Sequence, residues 1–491
     1  MPAAKPSKTA TPAIKKVAVI GSGVMGSGIA AQVANAGLPV VLLDIKLEGR
    51  NLAAEAVEKM LKADPAPFMR KANAKLITTG NLDDDLSLLK DCDWIIEVVL
   101  EDLKVKHATY EKLNKVRKKG SIISSNTSTI PLGHLAKGMG KEFEADFLIT
   151  HFFNPPRYMR LLELVVGKNT RPEAAAAVRA FCDINLGKGV VECYDTPGFI
   201  ANRLGVFWLT AGVNEAIKQG VSIELADAVM SKPVGIPKTG VFGLIDLVGI
   251  DLMPKLSDSL LSTLPKNDTY RNIFIDHPFV HGMIKAGYTG RKGKGGFYRL
   301  DPNSKSKEKQ ALSINAKSFD EGHYKKAEKV SGQPSLEARG LKNVVTAGDA
   351  GGNYAWEVLK QTLQYAASLV GEIAGSVQDI DDGMKLGYNW KSGPFEMIDA
   401  LGAAWFAEQL GKAGMDVPKI LKDVGEDTFY KIENGAVHYF GTDKKYHKVV
   451  RPDGVLLLSD IKLASQPVAK NGSASVWDIG DGVLCFEHTS K

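Results

Sequence analysis

Two side chains and one glycine loop are of types that could do chemistry. His151 stands near the end of the apolar run FLITHFF (147–153). A neutral imidazole can take a hydroxyl proton near pH 7, and open α/β sheets place their ligand crevice at the carboxyl ends of strands. A structural histidine would suit the same position, so a second group has to decide. Glu163 lies in the next strand candidate, LLELV, where a carboxylate among apolar neighbours is costly without a partner. Paired with His151 it would fix the ring tautomer and stabilise the imidazolium formed on proton uptake. An exposed strand end is the alternative for Glu163.

The glycine loop is GSGVMG, with Gly21, Gly23 and Gly26 around Val24 and Met25. It sits between the apolar run VAVI and a small-residue helix, the setting in which such a loop holds a pyrophosphate at a helix N-terminus. Asp44 closes the following strand, where a carboxylate accepts from both hydroxyls of a ribose and repels a 2′-phosphate. This predicts NAD over NADP, with Lys46 and Arg50 nearby as a softening influence.

These residues need a sheet to position them. Residues 16–44 read as strand, turn, helix and strand. WIIEVV (94–99), SIISS (121–125) and FLITHFF follow as strands between helical segments, which predicts an α/β, Rossmann-type domain over 16–196 with a mostly parallel sheet. From DTPGFIANRL (195–204) the periodicity turns helical, giving a first all-α domain over 197–300. The polar stretch 301–345 is expected as a linker. GVFGLIDLVG (240–249) matches GPFEMIDALG (393–402) at one constant offset, in Gly240/Gly393, Phe242/Phe395, Ile245/Ile398, Asp246/Asp399 and Gly249/Gly402. The helical domain is therefore expected twice, its copy over 346–415. Residues 416–491 read as a small β-rich extension, with AVHYF, VVRPDGVLLL and SVWDIGDGVLCFEH as hairpin material.

Composition narrows the function. Of 491 residues 44% are hydrophobic and 24% charged, the balance of soluble globular proteins. No run approaches the roughly 18 apolar residues of a membrane span, and residues 1–15 lack the apolar core of a signal peptide and read as a flexible tail. Cys92, Cys182, Cys193 and Cys485 show no CxxC spacing, so neither a metal site nor a disulfide framework is expected, and a reducing cytoplasm fits. The net charge of +6 comes without a basic run interleaved with aromatics, which speaks against nucleic acid. An anionic small molecule is the better partner, although a solubilising surface would also explain the surplus.

GSGVMGSGIA, EVVLEDLKVK, SSNTSTIP, THFFNPP with LLELV, and DTPGFIANRL occur in this order. Together they resemble L-3-hydroxyacyl-CoA dehydrogenase, over roughly residues 16–300. The repeat extends the likeness to about residue 415, as in the dehydrogenase portion of multifunctional fatty-acid β-oxidation proteins. The resemblance implies NAD-dependent oxidation of an L-3-hydroxyacyl-CoA to the 3-ketoacyl-CoA, with His151 as base oriented by Glu163. It implies that Ser128 and Asn202 hydrogen-bond the reacting 3-oxygen or its surroundings, and that Glu101, Lys106 and Asn126 lie on the nicotinamide side of the cofactor. Locally, Ser128 would also serve as a turn hydroxyl, Asn202 as a helix cap, and Glu101 and Lys106 as solvated helix charges.

The acyl-CoA partner is less marked. Lys62, Arg70, Lys71 and Lys75 in LKADPAPFMRKANAK could meet its phosphates, or form a solvated face. The last segment resembles the opening hairpin of an enoyl-CoA hydratase domain without the helices and oxyanion loop that would follow, so hydratase activity is not expected. A duplicated helical domain could make within one chain the contact that pairs simple family members, favouring a monomer, and a hydratase or thiolase partner is a further expectation. Competing readings are a lysine-dependent 3-hydroxyacid dehydrogenase, a non-catalytic crystallin-like NAD binder, and a scaffolding subunit. The presence of both His151 and Glu163 speaks against the first two.

Overall fold

The computed structural model describes residues 13–452 and 454–490. Eight strands form one sheet, in the order β3-β2-β1-β4-β5-β6-β7-β8. They are β1 (Val17–Ile20), β2 (Val40–Asp44), β3 (Ile77–Asn81), β4 (Trp94–Glu97), β5 (Ile122–Ser125), β6 (Phe147–Phe152), β7 (Leu161–Val166) and β8 (Gly189–Cys193). β1 to β6 run parallel, and all but the edge strand β3 are buried on both faces, which is why VAVI or WIIE reads as a continuous apolar run and not as an alternation. The order reverses beside β1, so the loop leaving β1 opens at the switch point where such sheets bind ligands.

β7 runs antiparallel to β6. Only residues 153–160 join the two strands, too few for a parallel crossover, so the chain has to fold back as a hairpin. From β7 to β8 the helix Pro172–Ala180 gives the length for a parallel return. The hairpin places His151 and Glu163 directly opposite each other in the ladder.

The flanking helices used below are α1 (Val24–Asn35), α2 (Leu52–Lys62) and α3 (Leu103–Val116). The first helical unit is built on α4 (Ala201–Gln219) and α5 (Phe242–Val248). The second is built on α6 (Ala350–Ser368), α7 (Val377–Tyr388) and α8 (Pro394–Leu401). α4 and α6 lie side by side. Phe207 stacks on Tyr365 at 4.2 Å, and the buried Arg203 donates to the Tyr365 hydroxyl at 2.5 Å.

The repeat is written in buried carboxylates. Asp227 accepts from the amides of Phe242 and Gly243 at the start of α5 and from the Tyr298 hydroxyl. Asp381 accepts from Phe395 and Glu396 at the start of α8 and from the Tyr430 hydroxyl. Asp246 takes the amides of Phe297 and Tyr298, as Asp399 takes those of Phe429 and Tyr430. Each unit ends in a three-stranded antiparallel sheet, Tyr298–Leu300 with Lys309–Leu312 and Tyr324–Lys326, and Tyr430–Glu433 with Ala436–Phe440 and Tyr446–Lys448.

The stretch 301–345, expected as a linker, thus carries two strands of the first sheet and the helices Pro334–Glu337 and Leu341–Val345. Its polarity comes from short, largely solvated strands, where Lys325 and Lys326 are exposed and Lys309 lies over the Tyr298 ring. The boundary expected at 415 falls inside the second unit, because Phe429 and Tyr430 close its carboxylates. Among the described residues VVRPDGVLLL does not pair as a hairpin. Tyr446–Lys448 pairs back on Ala436–Phe440, and the chain continues into the helix Leu458–Ala464. The final hairpin does form, Ala474–Asp478 with Leu484–His488, edged by Ala469–Lys470. The expected N-terminal tail lies outside the described residues up to residue 12. Ile14 is already packed in the core, and the Lys15 amide donates to Asp93.

Candidate active site

The cross-strand register gives the pair its geometry. His151 Nδ1 is 2.7 Å from Glu163 Oε2, with Glu163 fully buried and His151 7% exposed. The carboxylate only accepts, so Nδ1 carries the proton. Nε2 has no hydrogen-bond partner among the described residues. Glu163 Oε1 accepts the amides of Ile200 at 3.1 Å and Ala201 at 2.8 Å, at the start of α4. These amides have no partner within their own helix, so the buried carboxylate is satisfied on both oxygens. The ring of Phe153 lies 4.7 Å from the imidazole and that of Phe199 5.8 Å. Phe199 holds φ +48°, a left-handed conformation that bulky residues rarely adopt. It lets the chain turn sharply from β8 into α4.

The glycine loop fits a dinucleotide. Gly21 has φ +101°, and a Cβ there would stand 2.5 Å from the Val98 carbonyl oxygen. A Cβ at Gly26 would collide with the Gly21 carbonyl, whereas one at Gly23 meets nothing within 4 Å. Two glycines therefore bring strand and helix together, and the third leaves open backbone at the head of α1. Val24 is largely exposed beside it. Asp44, half-buried at the end of β2, accepts the Ser22 amide at 2.6 Å and the Ser22 hydroxyl at 2.5 Å. Ser22 and Asp44 line a cleft of about 570 Å³ together with α2 and residues 154–158. Arg50, Lys59 and Arg157 supply positive charge to this cleft. Lys62, Arg70, Lys71 and Lys75 are exposed and do not line it.

Lys106 is not a solvated helix charge, and Glu101, partly exposed just ahead of α3, is paired with it. Lys106 is buried, its ammonium 2.8 Å from Glu97 and 3.1 Å from Glu101. Glu97 also accepts from Tyr110 at 2.6 Å, Ser125 at 2.7 Å and the Val99 amide at 2.8 Å. Burial works to raise the Glu101 carboxyl, but the Lys106 ammonium and the bonds from Thr127, Lys106 and the Ser128 amide outweigh it and hold it below the usual carboxylate range. Glu101 thereby fixes the loop bearing Ser128, which is half-buried. The Asn126 side chain accepts the Phe152 amide at 2.9 Å, next to His151. Asn202 is the second residue of α4, half-buried, and is not its cap.

Three supporting residues were missed in the sequence. Glu97 carried the signal used for Glu163, a carboxylate inside an apolar strand. Asp195 accepts the amides of Leu132 at 2.6 Å and Gly133 at 3.1 Å, steadying the far side of the Ser128 loop. Lys188, 2% exposed, donates to the carbonyls of Pro156 and of Met159 (2.7 Å) and lies 5.6 Å from the Phe152 ring. Burial pushes its ammonium down to about 8. A lysine in a glycine-flanked turn gives no sequence sign of this.

Residues 16–196 match the family model of the 3-hydroxyacyl-CoA dehydrogenase NAD binding domain. Residues 198–300 and 352–427 match that of the 3-hydroxyacyl-CoA dehydrogenase C-terminal domain, one match for each helical unit. The chain is 38% identical over 504 residues to a probable 3-hydroxyacyl-CoA dehydrogenase of Bacillus subtilis (strain 168), covering 97% of this chain and 63% of that protein. It is 43% identical over 389 residues to a putative fatty acid oxidation complex trifunctional enzyme of Rickettsia felis, covering 78% of this chain and 53% of the relative. It therefore spans between half and two thirds of the length of these two relatives. A probable 3-hydroxyacyl-CoA dehydrogenase of Deinococcus radiodurans is 41% identical over 298 residues, 60% of this chain and 85% of its own. With an NAD-binding sheet and a twice-present C-terminal unit meeting at His151, Glu163 and the first turn of α4, the chain belongs to the 3-hydroxyacyl-CoA dehydrogenase family.

Proposed function

We propose that the protein oxidises an L-3-hydroxyacyl-CoA to the 3-ketoacyl-CoA in fatty-acid β-oxidation, with His151 as general base and Glu163 as its orienting partner. The observation that carries this is the 2.7 Å bond between His151 Nδ1 and a fully buried Glu163. It leaves Nε2 to accept the substrate hydroxyl proton, while Glu163 stabilises the imidazolium. NAD, when bound, takes the hydride from C3. Gly21, Gly23, Val24, Met25, Gly26 and Asp44 would hold its adenosine side. Glu101, Lys106 and Asn126 would order the nicotinamide side, and Ser128 and Asn202 would orient the 3-oxygen. The CoA phosphates would approach the basic face from α2 to Lys75.

In this reading 16–196 binds the cofactor, 197–300 closes the substrate site, and the copied unit braces it. The side-by-side packing of α4 and α6 within one chain supports a monomer, and the uncombined thiols Cys92, Cys182 and Cys193 support a reducing cytoplasm. Among the described residues no helix is long and apolar enough to cross a membrane. Exposed Leu484 and Phe486 on one face of the C-terminal sheet support the expected hydratase or thiolase neighbour, which co-migration in gel filtration tests.

The deciding assay is NADH oxidation with acetoacetyl-CoA and longer 3-ketoacyl-CoAs. His151→Gln is expected to retain NAD binding and lose roughly 10²- to 10⁴-fold in turnover. Unchanged turnover would reject the assignment.

A further inference from the structure

Helix α7 of the second unit lies against the back of the His151–Glu163 pair, and two glycines one turn apart make that approach. A Cβ at Gly383 would stand 2.6 Å from Ile200 Cγ2 and 3.3 Å from its Cβ. A Cβ at Gly387 would stand 2.8 Å from Leu161 Cδ2, 3.3 Å from Ala201 Cβ and 3.8 Å from Phe153 Cε1. Neither glycine has a positive φ, and alanine is the better helix former at both positions. What glycine supplies here is closeness.

The residues touched are those that hold the pair. Ile200 and Ala201 donate the two amides received by Glu163 Oε1. Phe153 faces the imidazole, and Leu161 lies two residues before Glu163 on the same face of β7. The contact is anchored at the C-terminal end of α7, where the Tyr388 ring packs edge-on against Trp208 of α4 at 6.0 Å.

We infer that the second helical unit is a positioning part of the active site: the Gly383–Gly387 face of α7 presses the first turn of α4 onto Glu163 and so keeps both amides on its carboxylate. The inference rests on the reading of His151 and Glu163 given above. A methyl group at Gly387 moves α4 away, weakens the amide bonds, and leaves a more basic carboxylate opposite His151. Such a carboxylate favours the imidazolium more strongly, so the base stays protonated to higher pH.

The test is a double-mutant cycle in the full chain, with Gly387→Ala and Glu163→Gln singly and together, each followed by kcat, KM for NAD and the pH profile. Gly387→Ala is expected to lower kcat about 10-fold, the worth of one hydrogen bond to a charged group. KM for NAD should stay unchanged and the acid limb of the profile should move to higher pH. Its effect should vanish in the Glu163→Gln background. Gly383→Ala should act in the same direction, and Lys385→Ala, on the side of α7 facing Glu396, should change neither kcat nor the limb. An unmoved acid limb, or losses that simply add in the double variant, overturns the inference and leaves the reading of the pair intact. Glu163→Gln without effect rejects that reading itself. Should Gly383→Ala fold poorly, the Gly387 cycle alone decides.

Discussion

The backbone amide of Ala201 lies 2.8 Å from Glu163 Oε1, so the catalytic-side carboxylate joins the nucleotide-binding sheet to the first helical unit. Glu163→Gln offers one acceptor where two amides and a ring N–H need them, and its NH2 faces a donor whichever way it turns. Turnover is expected to fall roughly 10²- to 10⁴-fold with the melting temperature lowered as well. Steady-state kinetics and calorimetry on the same preparation check both.

Asp44 is already bound to Ser22 when the cofactor arrives, and its second oxygen takes only the adjacent Ile45 amide. Asp44→Ala is expected to raise KM for NAD roughly 10- to 100-fold, as for a lost hydrogen bond to a charged group, and to leave kcat at saturating NAD within a few-fold. Turnover supported better by NADP than by NAD in the unaltered protein would contradict the role given to Asp44.

Lys188 ties residues 156–159 to the sheet with a buried ammonium whose proton is lost at about 8. Activity is expected to decline between pH 8 and 9.5 as this clamp loosens. Lys188→Met should abolish that limb and raise KM for the acyl-CoA, and Lys188→Arg should restore charge and shift the limb beyond the assay range. For stability the sign is opposite. A depressed lysine costs folding while charged, so its contribution improves as pH rises from about 8 towards 10.5. Activity and melting temperature should therefore diverge above pH 8.

The duplicated carboxylates make the helical units sensitive to pH. Burial pushes Asp227 up to about 7 and Asp246 and Asp399 up to about 6, against the amides and hydroxyls that favour the charged form. Burial raises Asp381 as well. With folded values above unfolded ones, the stabilisation is complete below about pH 4 and is lost as pH rises through 6 to 7. Melting temperature should fall between pH 5 and 8 by a few degrees, about 1–3 kcal/mol. Tyr430→Phe, which removes a donor from Asp381, should cost about 1–2 kcal/mol.

The sheet and the pair were legible because each had a local signature. Apolar runs led into glycines, and one carboxylate sat inside an apolar strand seven positions after the second of the two prolines that follow His151. Glu97 bore the same mark but stood in a run read only as a strand. The second helical unit was legible at the constant offset between Asp246 and Asp399. Its full extent was not, because the spacing from those residues to Tyr298 and Tyr430 differs, 52 positions against 31. An ungapped comparison cannot follow that change. Lys309 and its neighbours resembled a linker because short strands with one wet face have the composition of a loop. Contacts that depend on closeness, such as Gly387 on Ala201, leave only a glycine in the sequence.

The side-by-side packing of α4 and α6 has a consequence for how the enzyme behaves at low abundance. Two helical bodies held on one polypeptide meet at an effective concentration on the order of millimolar, whatever the amount of protein present. Specific activity should then be independent of dilution into the nanomolar range. An arrangement assembled from separate chains would come apart there, and with it the bracing of Glu163.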